Sequence, residues 1–276
     1  MDKTNDDIIW VKKRKLAASY SMSSSHCHQY NEIFYIKSGE CSLFMQHSIY
    51  RLRAGDMAII STGTIHKTTY LSTCEHERIV LDFKDEHIKE ITDRYGENIF
   101  NELLGKKVLS FTSKQKKYLE DLLDKMILEL EQPDNFSDAF LNTYLVEFIL
   151  FLIRYQSRTT HIYKTMDLEN ESIQRAADYI FHNYDKPITL TEMANMLHLN
   201  RTYFSKKFKQ TTGIGFKEYL TRIRIRRAEQ LLLESNMSIT EIAFACGFTD
   251  SNYFGDAFRH INGVSPLAYR KNNHPF

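Results

Sequence analysis

The sequence predicts an α+β protein, with an antiparallel β-barrel and a helical hairpin first and an all-helical domain after them. Short stretches between residues 12 and 83 alternate apolar and polar side chains and are separated by Gly39, Gly55 and Gly63, as in small barrels or sandwiches. From Ser113 the apolar residues recur at helical spacing. Beyond residue 171 the pattern is helical throughout, and two of its segments repeat one design.

These patterns also give the predicted domain boundaries. The chain has 276 residues, 42% of them hydrophobic, which is enough for two buried cores. Residues 158–170 are polar and have no sustained period, so we place a linker there. Residues 1–157 then form one domain, with the barrel at about 12–112 and the hairpin at about 113–157. Residues 171–276 form the second domain.

The hairpin combines two amphipathic segments around a break. Apolar residues recur from Leu119 to Leu130, Pro133 ends this run, and a second run extends from Phe140 to Ile153. The second helix is apolar over more than one stripe. Two interpretations therefore stay open: the hairpin packs against the barrel, or its apolar surface forms a dimer seam.

Composition restricts the class of protein. The formal net charge of +1 divides unevenly, because residues 171–276 contain 14 Lys and Arg against 10 Asp and Glu, and the rest 22 against 25. This excess supports nucleic-acid binding in the C-terminal part without proving it.

The longest apolar stretch is too short for a bilayer, and acidic residues near the start disfavour a signal peptide. We expect a cytoplasmic protein, not bound to a membrane, whose four scattered cysteines are free thiols.

The second domain is predicted to contain two helix-turn-helix units. Its seven helices are placed at residues 172–184, 191–197, 201–211, 216–234, 239–246, 251–262 and 266–271. Thr189 or Thr191 is expected to cap the start of the first unit, and Ser238 or Thr240 that of the second. The helix over 216–234, about 30 Å long, would separate the units by close to one turn of DNA.

The third and sixth of these helices are the candidate DNA readers. Phe204 and Phe208 in one, and Phe254 and Phe258 in the other, are spaced to share a buried face. The opposite faces carry polar side chains that can donate to or accept from base edges and phosphates in a major groove. Alternatively, they are ordinary solvated helix faces. The predicted DNA-binding residues are Arg201, Thr202, Ser205, Lys206, Lys209, Ser251, Asn252, Asp256 and Arg259.

The C-terminal domain resembles the AraC/XylS family of transcription regulators. The resemblance covers roughly residues 172–271 and rests on 227–233 (RAEQLLL), 238–248 (SITEIAFACGF), 263–270 (GVSPLAYR), Tyr253, Phe254 and Phe258. The first unit also matches, through Pro187, Ile188, Ala194, Phe204, Phe208, Thr212 and Gly213. The resemblance implies that Thr202, Lys206, Asn252 and Asp256 face the bases. It also implies a sequence-specific regulator that binds double-stranded DNA and is not an enzyme.

The barrel resembles a cupin domain, which many AraC-like regulators contain. His26, His28, Glu32 and Gly39 match the first cupin motif, and Gly55, Gly63 and His66 match part of the second, in which Ser61 replaces the usual proline and Tyr70 the usual asparagine. His26, His28, Glu32 and His66 could hold a divalent metal. We favour the interpretation that they are remnants lining a barrel mouth, and we expect no cofactor.

We expect the cupin-like barrel to enclose a small effector, a sugar by analogy with family members. The predicted lining residues are Trp10, His28, Tyr35, Arg51 and His66. A homodimer is expected, with RNA polymerase as a further partner. Two rivals remain: a metal-dependent cupin enzyme with an accessory DNA-binding tail, and a regulator without an effector.

Overall fold

The chain divides into two compact units, residues 1–168 and 169–276. The computed structural model describes residues 9–18, 22–70, 75–156 and 170–273. The linker predicted at 158–170 lies outside these residues except for Asn170. No helix among the described residues is long and apolar enough to cross a membrane.

The first unit contains two antiparallel sheets. The five-stranded sheet has the order β1-β7-β2-β5-β8 and the three-stranded sheet the order β4-β3-β6. The strands are β1 (Trp10–Leu16), β2 (Asn31–Ser38), β3 (Glu40–Met45), β4 (Ser48–Arg53), β5 (Asp56–Ile60), β6 (His66–Tyr70), β7 (His76–Phe83) and β8 (Val108–Ser110).

The predicted cupin-like antiparallel fold is confirmed, and the described strands do not close into a barrel. No strand ladder among them joins the two sheets, which therefore form a sandwich. The chain changes sheet at Gly39, between β2 and β3, where φ is +84°. A Cβ at Gly39 would lie 2.6 Å from the Cβ of His76, so glycine allows this close crossing.

Both faces of the five-stranded sheet are covered. On β2, Phe34 and Ile36 share a buried cluster with Leu43 and Met45 of β3. Tyr35 points to the opposite face and belongs to the cluster formed with the helices. This two-residue alternation places neighbouring side chains of one strand in different cores.

The helices of the first unit follow β7 and β8. They are α1 (Lys89–Tyr95), α2 (Glu97–Gly105), α3 (Ser113–Glu131) and α4 (Ser137–Gln156), with a 3₁₀ turn (Asp85–Ile88) before α1. The predicted hairpin is confirmed as α3 and α4. One side of it packs against the sheet, as the first of the two interpretations expected, and four of its buried side chains there are Leu119, Leu123, Leu145 and Phe148. Four large side chains of this hairpin remain exposed: Tyr118, Leu128, Phe136 and Phe140.

The second unit is all helical, as predicted. Its helices are α5 (Glu171–Asn183), α6 (Leu190–Met196), α7 (Arg201–Thr212), α8 (Phe216–Glu234), α9 (Ile239–Ala245), α10 (Ser251–Asn262) and α11 (Pro266–Asn273). These correspond to the seven predicted helices, and the bounds of α8 and α10 agree at both ends.

Helix α8 is shared by both helix-turn-helix units. In its first half, Phe216 and Tyr219 make edge contacts with Phe208 of α7. In its second half, Ile225 and Leu232 are buried in one cluster with Phe254 and Phe258 of α10. One helix thus carries two aromatic cores in series.

Candidate nucleic-acid interface and histidine cluster

Each helix-turn-helix unit starts with a reciprocal capping box. The Thr189 Oγ1 accepts from the Glu192 backbone N–H at 3.2 Å, and the Glu192 carboxylate accepts from the Thr189 N–H at 2.8 Å. Ser238 and Glu241 repeat this exchange at 3.2 and 2.7 Å. Of the predicted alternatives, Thr189 and Ser238 are therefore the caps, and each satisfies backbone donors that a helix start leaves exposed.

The turns inside the two units share one hydrogen-bond pattern. The Leu199 N–H donates to the Ala194 carbonyl at 2.9 Å, and the Phe248 N–H donates to the Ala243 carbonyl at 3.0 Å. The residue before each donor has a positive φ, +55° at His198 and +83° at Gly247. The two short helices therefore end in the same way, by a left-handed residue.

The recognition helices also start alike. The Asn200 Oδ1 accepts from the Thr202 N–H at 2.8 Å, and the Asp250 Oδ1 accepts from the Asn252 N–H at 2.7 Å. Both are side-chain N-caps. Counted from the caps Thr189 and Ser238, Asp250 lies one position later in its helix-turn-helix unit than Asn200 does. The turn between α9 and α10 is therefore one residue longer than the turn between α6 and α7.

The predicted DNA-binding residues lie together on the outward faces of α7 and α10. Phe204, Phe208, Phe254 and Phe258 are fully buried on the inward faces. Of the nine predicted residues, Ser205 and Ser251 are half-buried and the other seven are exposed. Within the described part of the chain, none of the seven exposed side chains has a hydrogen bond or ion pair. Their donors and acceptors are therefore available to a ligand.

Sequence reasoning missed two exposed aromatic residues on these helices. Tyr203 and Tyr253 occupy equivalent places, three residues after the caps Asn200 and Asp250, and are 55% and 46% exposed. The Lys217 Nζ lies 5.7 Å from the centre of the Tyr253 ring. Alignment of the two units on their caps would have revealed the pair. Tyrosine hydroxyls are among the groups that bind DNA phosphates.

A second cluster of polar side chains lies in the first unit. His26 and His28 precede β2, Glu32 lies near its start, and His66 is the first residue of β6. A β-bridge joins His26 to His66, with N–H to carbonyl distances of 3.0 and 3.1 Å. One ligand atom from each of the four side chains lies within 4.8 Å of the others.

Hydrogen bonds orient two of these imidazole rings. The Nδ1 of His28 lies 2.8 Å from the Tyr30 carbonyl, and the Nδ1 of His66 lies 2.9 Å from the Thr64 carbonyl. Because a carbonyl only accepts, each Nδ1 is the donor. The Nε2 atoms point to Glu32, whose Oε2 lies 3.1 Å from His28 and 3.9 Å from His66.

Burial and neighbouring charges control protonation in the cluster. Burial, together with the nearby His66, lowers the pKa of His26 to about 4. Burial also lowers the pKa of His66. Although burial opposes it, the hydrogen bond from His28 leaves the pKa of Glu32 below its ordinary value. Burial and the charge of Glu32 raise the pKa of Asp82 to about 7.

The five predicted effector-lining residues do not share one site. Only His28 and His66 lie together, with ring centres 5.0 Å apart. Trp10 is 46% exposed on β1, which has one neighbouring strand. Tyr35 faces α3, where its hydroxyl donates to Glu120 at 2.6 Å. Arg51 forms an ion pair with Glu40 at 2.8 Å.

Two family models match the chain. The model of the AraC-like ligand binding domain matches residues 16–149, and the model of a helix-turn-helix domain matches residues 193–272. The first range includes the histidine cluster, and the second includes both recognition helices.

Three known proteins illustrate the similarity. An uncharacterized HTH-type transcriptional regulator of Staphylococcus aureus is 23% identical over 86% of this chain and 31% of its own length, so the chain spans about a third of that relative. The lactose operon transcription activator of Staphylococcus xylosus is 27% identical over 85% of this chain and 81% of its own length. The C-terminal domain of AraT, a response regulator from Geobacillus stearothermophilus, is 36% identical over 38% of this chain and 88% of its own, with a TM-score of 0.37.

Proposed function

We propose that this chain, which belongs to the AraC family of transcription regulators, regulates transcription by binding double-stranded DNA through α7 and α10. One observation carries the proposal: the same helix-turn-helix design occurs twice on α8. In each helix-turn-helix unit an aromatic pair is buried, and the opposite face exposes polar side chains that have no partner among the described residues.

The length of α8 suits two contacts on one side of a duplex. Its 19 residues span about 28 Å at 1.5 Å per residue, comparable with the roughly 34 Å between successive major-groove turns. Helices α7 and α10 pack on opposite halves of α8. We therefore infer that they enter successive major grooves.

The side chains on the two faces suit different parts of the duplex. Thr202 and Lys206 on α7, and Asn252 and Asp256 on α10, are the proposed base readers, since Lys donates to guanine, Asn pairs with adenine and Asp accepts from cytosine. The remaining members of the predicted set are proposed to contact phosphates and hold the register. They are Arg201, Ser205, Lys209, Ser251 and Arg259.

Selection of bound sequences from a random DNA pool tests this function. We expect a site with two half-sites about one helical turn apart. On that site Lys206→Ala and Asn252→Ala should each weaken binding by about 1–3 kcal/mol, and less on random DNA. Lys117→Ala, which removes an exposed lysine of α3, is the matched control and should leave both affinities unchanged. Equal losses on selected and random DNA would refute base reading.

We further propose that the first unit binds a small effector, of the sugar class, and that the regulator is an activator. Support comes from the AraC-like ligand binding domain that matches this unit and from the similarity to the lactose operon transcription activator of Staphylococcus xylosus. An effector acts only if it binds one arrangement of the chain more tightly than another. Thermal-shift screening of monosaccharides and disaccharides, paired with DNA-binding assays, tests the class. No change in either measurement with any sugar contradicts it.

We also propose a homodimer formed through the exposed side of the α3–α4 hairpin. Tyr118, Leu128, Phe136 and Phe140 leave an apolar surface there after the rest of the hairpin has packed on the sheet. Sedimentation should show a dimer that Leu128→Glu dissociates, because a charge at such a seam is desolvated without a partner. A monomeric wild-type chain contradicts this. RNA polymerase remains a proposed partner of the DNA-bound form, testable by reporter activation.

A further inference from the structure

We propose that Arg224 holds the two helix-turn-helix units in one fixed orientation, so that the spacing of the two half-sites on DNA becomes part of what the chain recognises. This inference rests on the proposed DNA binding and adds a positioning residue to it. Arg224 lies at the middle of α8, between the halves that carry the two aromatic cores. Its side chain contacts segments that belong to different helix-turn-helix units.

The two aromatic cores do not by themselves fix how each helix-turn-helix unit is turned about α8. The length of α8 sets the distance between α7 and α10, but their rotation about its axis depends on contacts of defined direction. Burial of apolar surface is non-directional, so it constrains this rotation less strictly than hydrogen bonds do. A planar guanidinium with donors in fixed positions gives the strongest constraint of this kind.

The first contact of Arg224 is with the chain that leads into the first helix-turn-helix unit. Its Nε donates to the Tyr184 carbonyl and its Nη2 to the Lys186 carbonyl, both at 2.8 Å. Lys186 lies three residues before Thr189, the cap of α6. A guanidinium that donates from two nitrogens to two carbonyls is satisfied in one orientation only. The entry segment, residues 184–186, is therefore held against the middle of α8.

The second contact of Arg224 is with the turn inside the second helix-turn-helix unit. Its guanidinium carbon lies 5.7 Å from the centre of the Phe248 ring, within the range of a cation–π interaction. Phe248 is buried and meets Phe254 of α10 edge to face, with ring centres 5.1 Å apart. Gly247 brings the same turn against the entry segment, since a Cβ there would lie 2.7 Å from the Asp185 carbonyl oxygen. The entry segment, Arg224 and this turn thus form one junction between the two helix-turn-helix units.

A rigid junction makes the spacing of the half-sites readable. One base pair inserted between them displaces a half-site by about 3.4 Å along the duplex axis and rotates it by about 35°. When the junction is intact, α7 and α10 cannot follow both changes, and one of the two helices loses its base contacts. When the junction is broken, each helix-turn-helix unit can adjust to its own half-site. Arg224 therefore controls selectivity for spacing without contacting a base.

Arg270 supplies a matched control in the same domain. Its Nε and Nη2 also donate to two backbone carbonyls, those of Leu232 at 3.1 Å and Met237 at 2.7 Å. Leu232 lies near the end of α8, and Met237 directly precedes Ser238, the cap of α9. Both carbonyls are thus on the side of the second helix-turn-helix unit. Removal of Arg270 should lower stability in the same way as removal of Arg224, but it leaves the junction intact.

Fluorescence anisotropy titration of the full chain with labelled duplexes tests the proposal. The duplexes carry the site selected from the random pool, either unchanged or with one base pair inserted or deleted between its half-sites. Wild type should bind the altered duplexes about tenfold or more weakly, because one helix loses its base contacts. For Arg224→Leu the affinities for unchanged and altered duplexes should become nearly equal. Arg224→Lys, which keeps the charge but has a single donor nitrogen, should lie between, and Arg270→Leu should keep the wild-type ratio.

Circular dichroism and urea unfolding identify the variants that are folded under the conditions of the titration. A wild-type ratio in Arg224→Leu, or in Arg224→Lys where the leucine variant does not fold, would overturn the inference. An equal loss of the ratio in Arg270→Leu would also overturn it, because the cause would then be reduced stability. Wild type that selects a sequence but binds all spacings alike overturns only this inference. Wild type that selects no sequence overturns the proposed function on which it rests.

Discussion

Replacement of Gly247 by alanine should destabilise the second helix-turn-helix unit more than any other glycine-to-alanine change in that unit. Gly247 has φ +83° in the turn between α9 and α10. A Cβ built there would lie 2.7 Å from the carbonyl oxygens of both Tyr184 and Asp185. These are backbone atoms of the segment after α5, so the clash cannot be relieved by rotating a side chain.

Two contributions set the size of the effect. A left-handed conformation costs a residue with a Cβ about 1–2 kcal/mol. Displacement of the Tyr184 carbonyl would also disturb its hydrogen bond from the Arg224 guanidinium, which is 2.8 Å long. A hydrogen bond to a charged group contributes about 1.5–3 kcal/mol. We therefore expect Gly247→Ala to lower the free energy of unfolding by about 2.5–5 kcal/mol.

Gly263 supplies the matched control. It has φ +74° at the end of α10, and a Cβ there would meet no heavy atom within 4 Å. Gly263→Ala should therefore show only the conformational cost of about 1–2 kcal/mol. Urea unfolding followed by far-ultraviolet circular dichroism measures both losses, while fluorescence of the single tryptophan, Trp10, reports on the first unit. Equal losses in the two variants would refute the clash.

Two further substitutions test particular residues. Tyr35→Phe removes the hydroxyl that donates to the Glu120 carboxylate, so it should lower the free energy of unfolding of the first unit by about 1.5–3 kcal/mol, the contribution of a hydrogen bond to a charged group. Sugar binding should be unchanged, and weakened sugar binding would restore Tyr35 to the effector site. Lys209→Ala should reduce the slope of log affinity against log salt concentration by about 0.9 on selected and random DNA alike, as expected for one phosphate contact; an unchanged slope would place Lys209 away from the backbone.

The helices of the all-helical second unit, residues 169–276, could be predicted because the sequence signals that determine them are local. Capping boxes, N-cap residues and the glycines after α7 and α10 act within a few residues of the positions they control. The spacing of Phe204 and Phe208 then determines which face of α7 is buried, and the residues of the opposite face are therefore the ones that point outward. The sequence pattern did not distinguish Thr189 from Thr191 as the cap, since both are threonines and either side chain can accept the same hydrogen bond.

The first unit was less predictable because its contacts are distant in sequence. Alternation identified strands, but it does not say which sheet a strand joins, and so it did not reveal that β2 and β3 lie in different sheets. When both faces of a strand are covered, alternation also does not indicate which of the two faces lines a ligand site. Tyr35 therefore looked equivalent to His28 as a lining residue, although it packs toward α3.

The two recognition helices differ in side chains much more than in backbone. Both start from a side-chain N-cap and end at a left-handed glycine, so geometry gives neither an advantage. The outward face of α7 has three cations, Arg201, Lys206 and Lys209, whereas that of α10 has Arg259 beside the acidic Asp256. Phosphates attract the first face on any sequence. Asp256 is repelled by phosphates and is favourable only opposite a donor such as cytosine N4. It follows that α7 should supply most of the affinity and α10 a larger share of the discrimination.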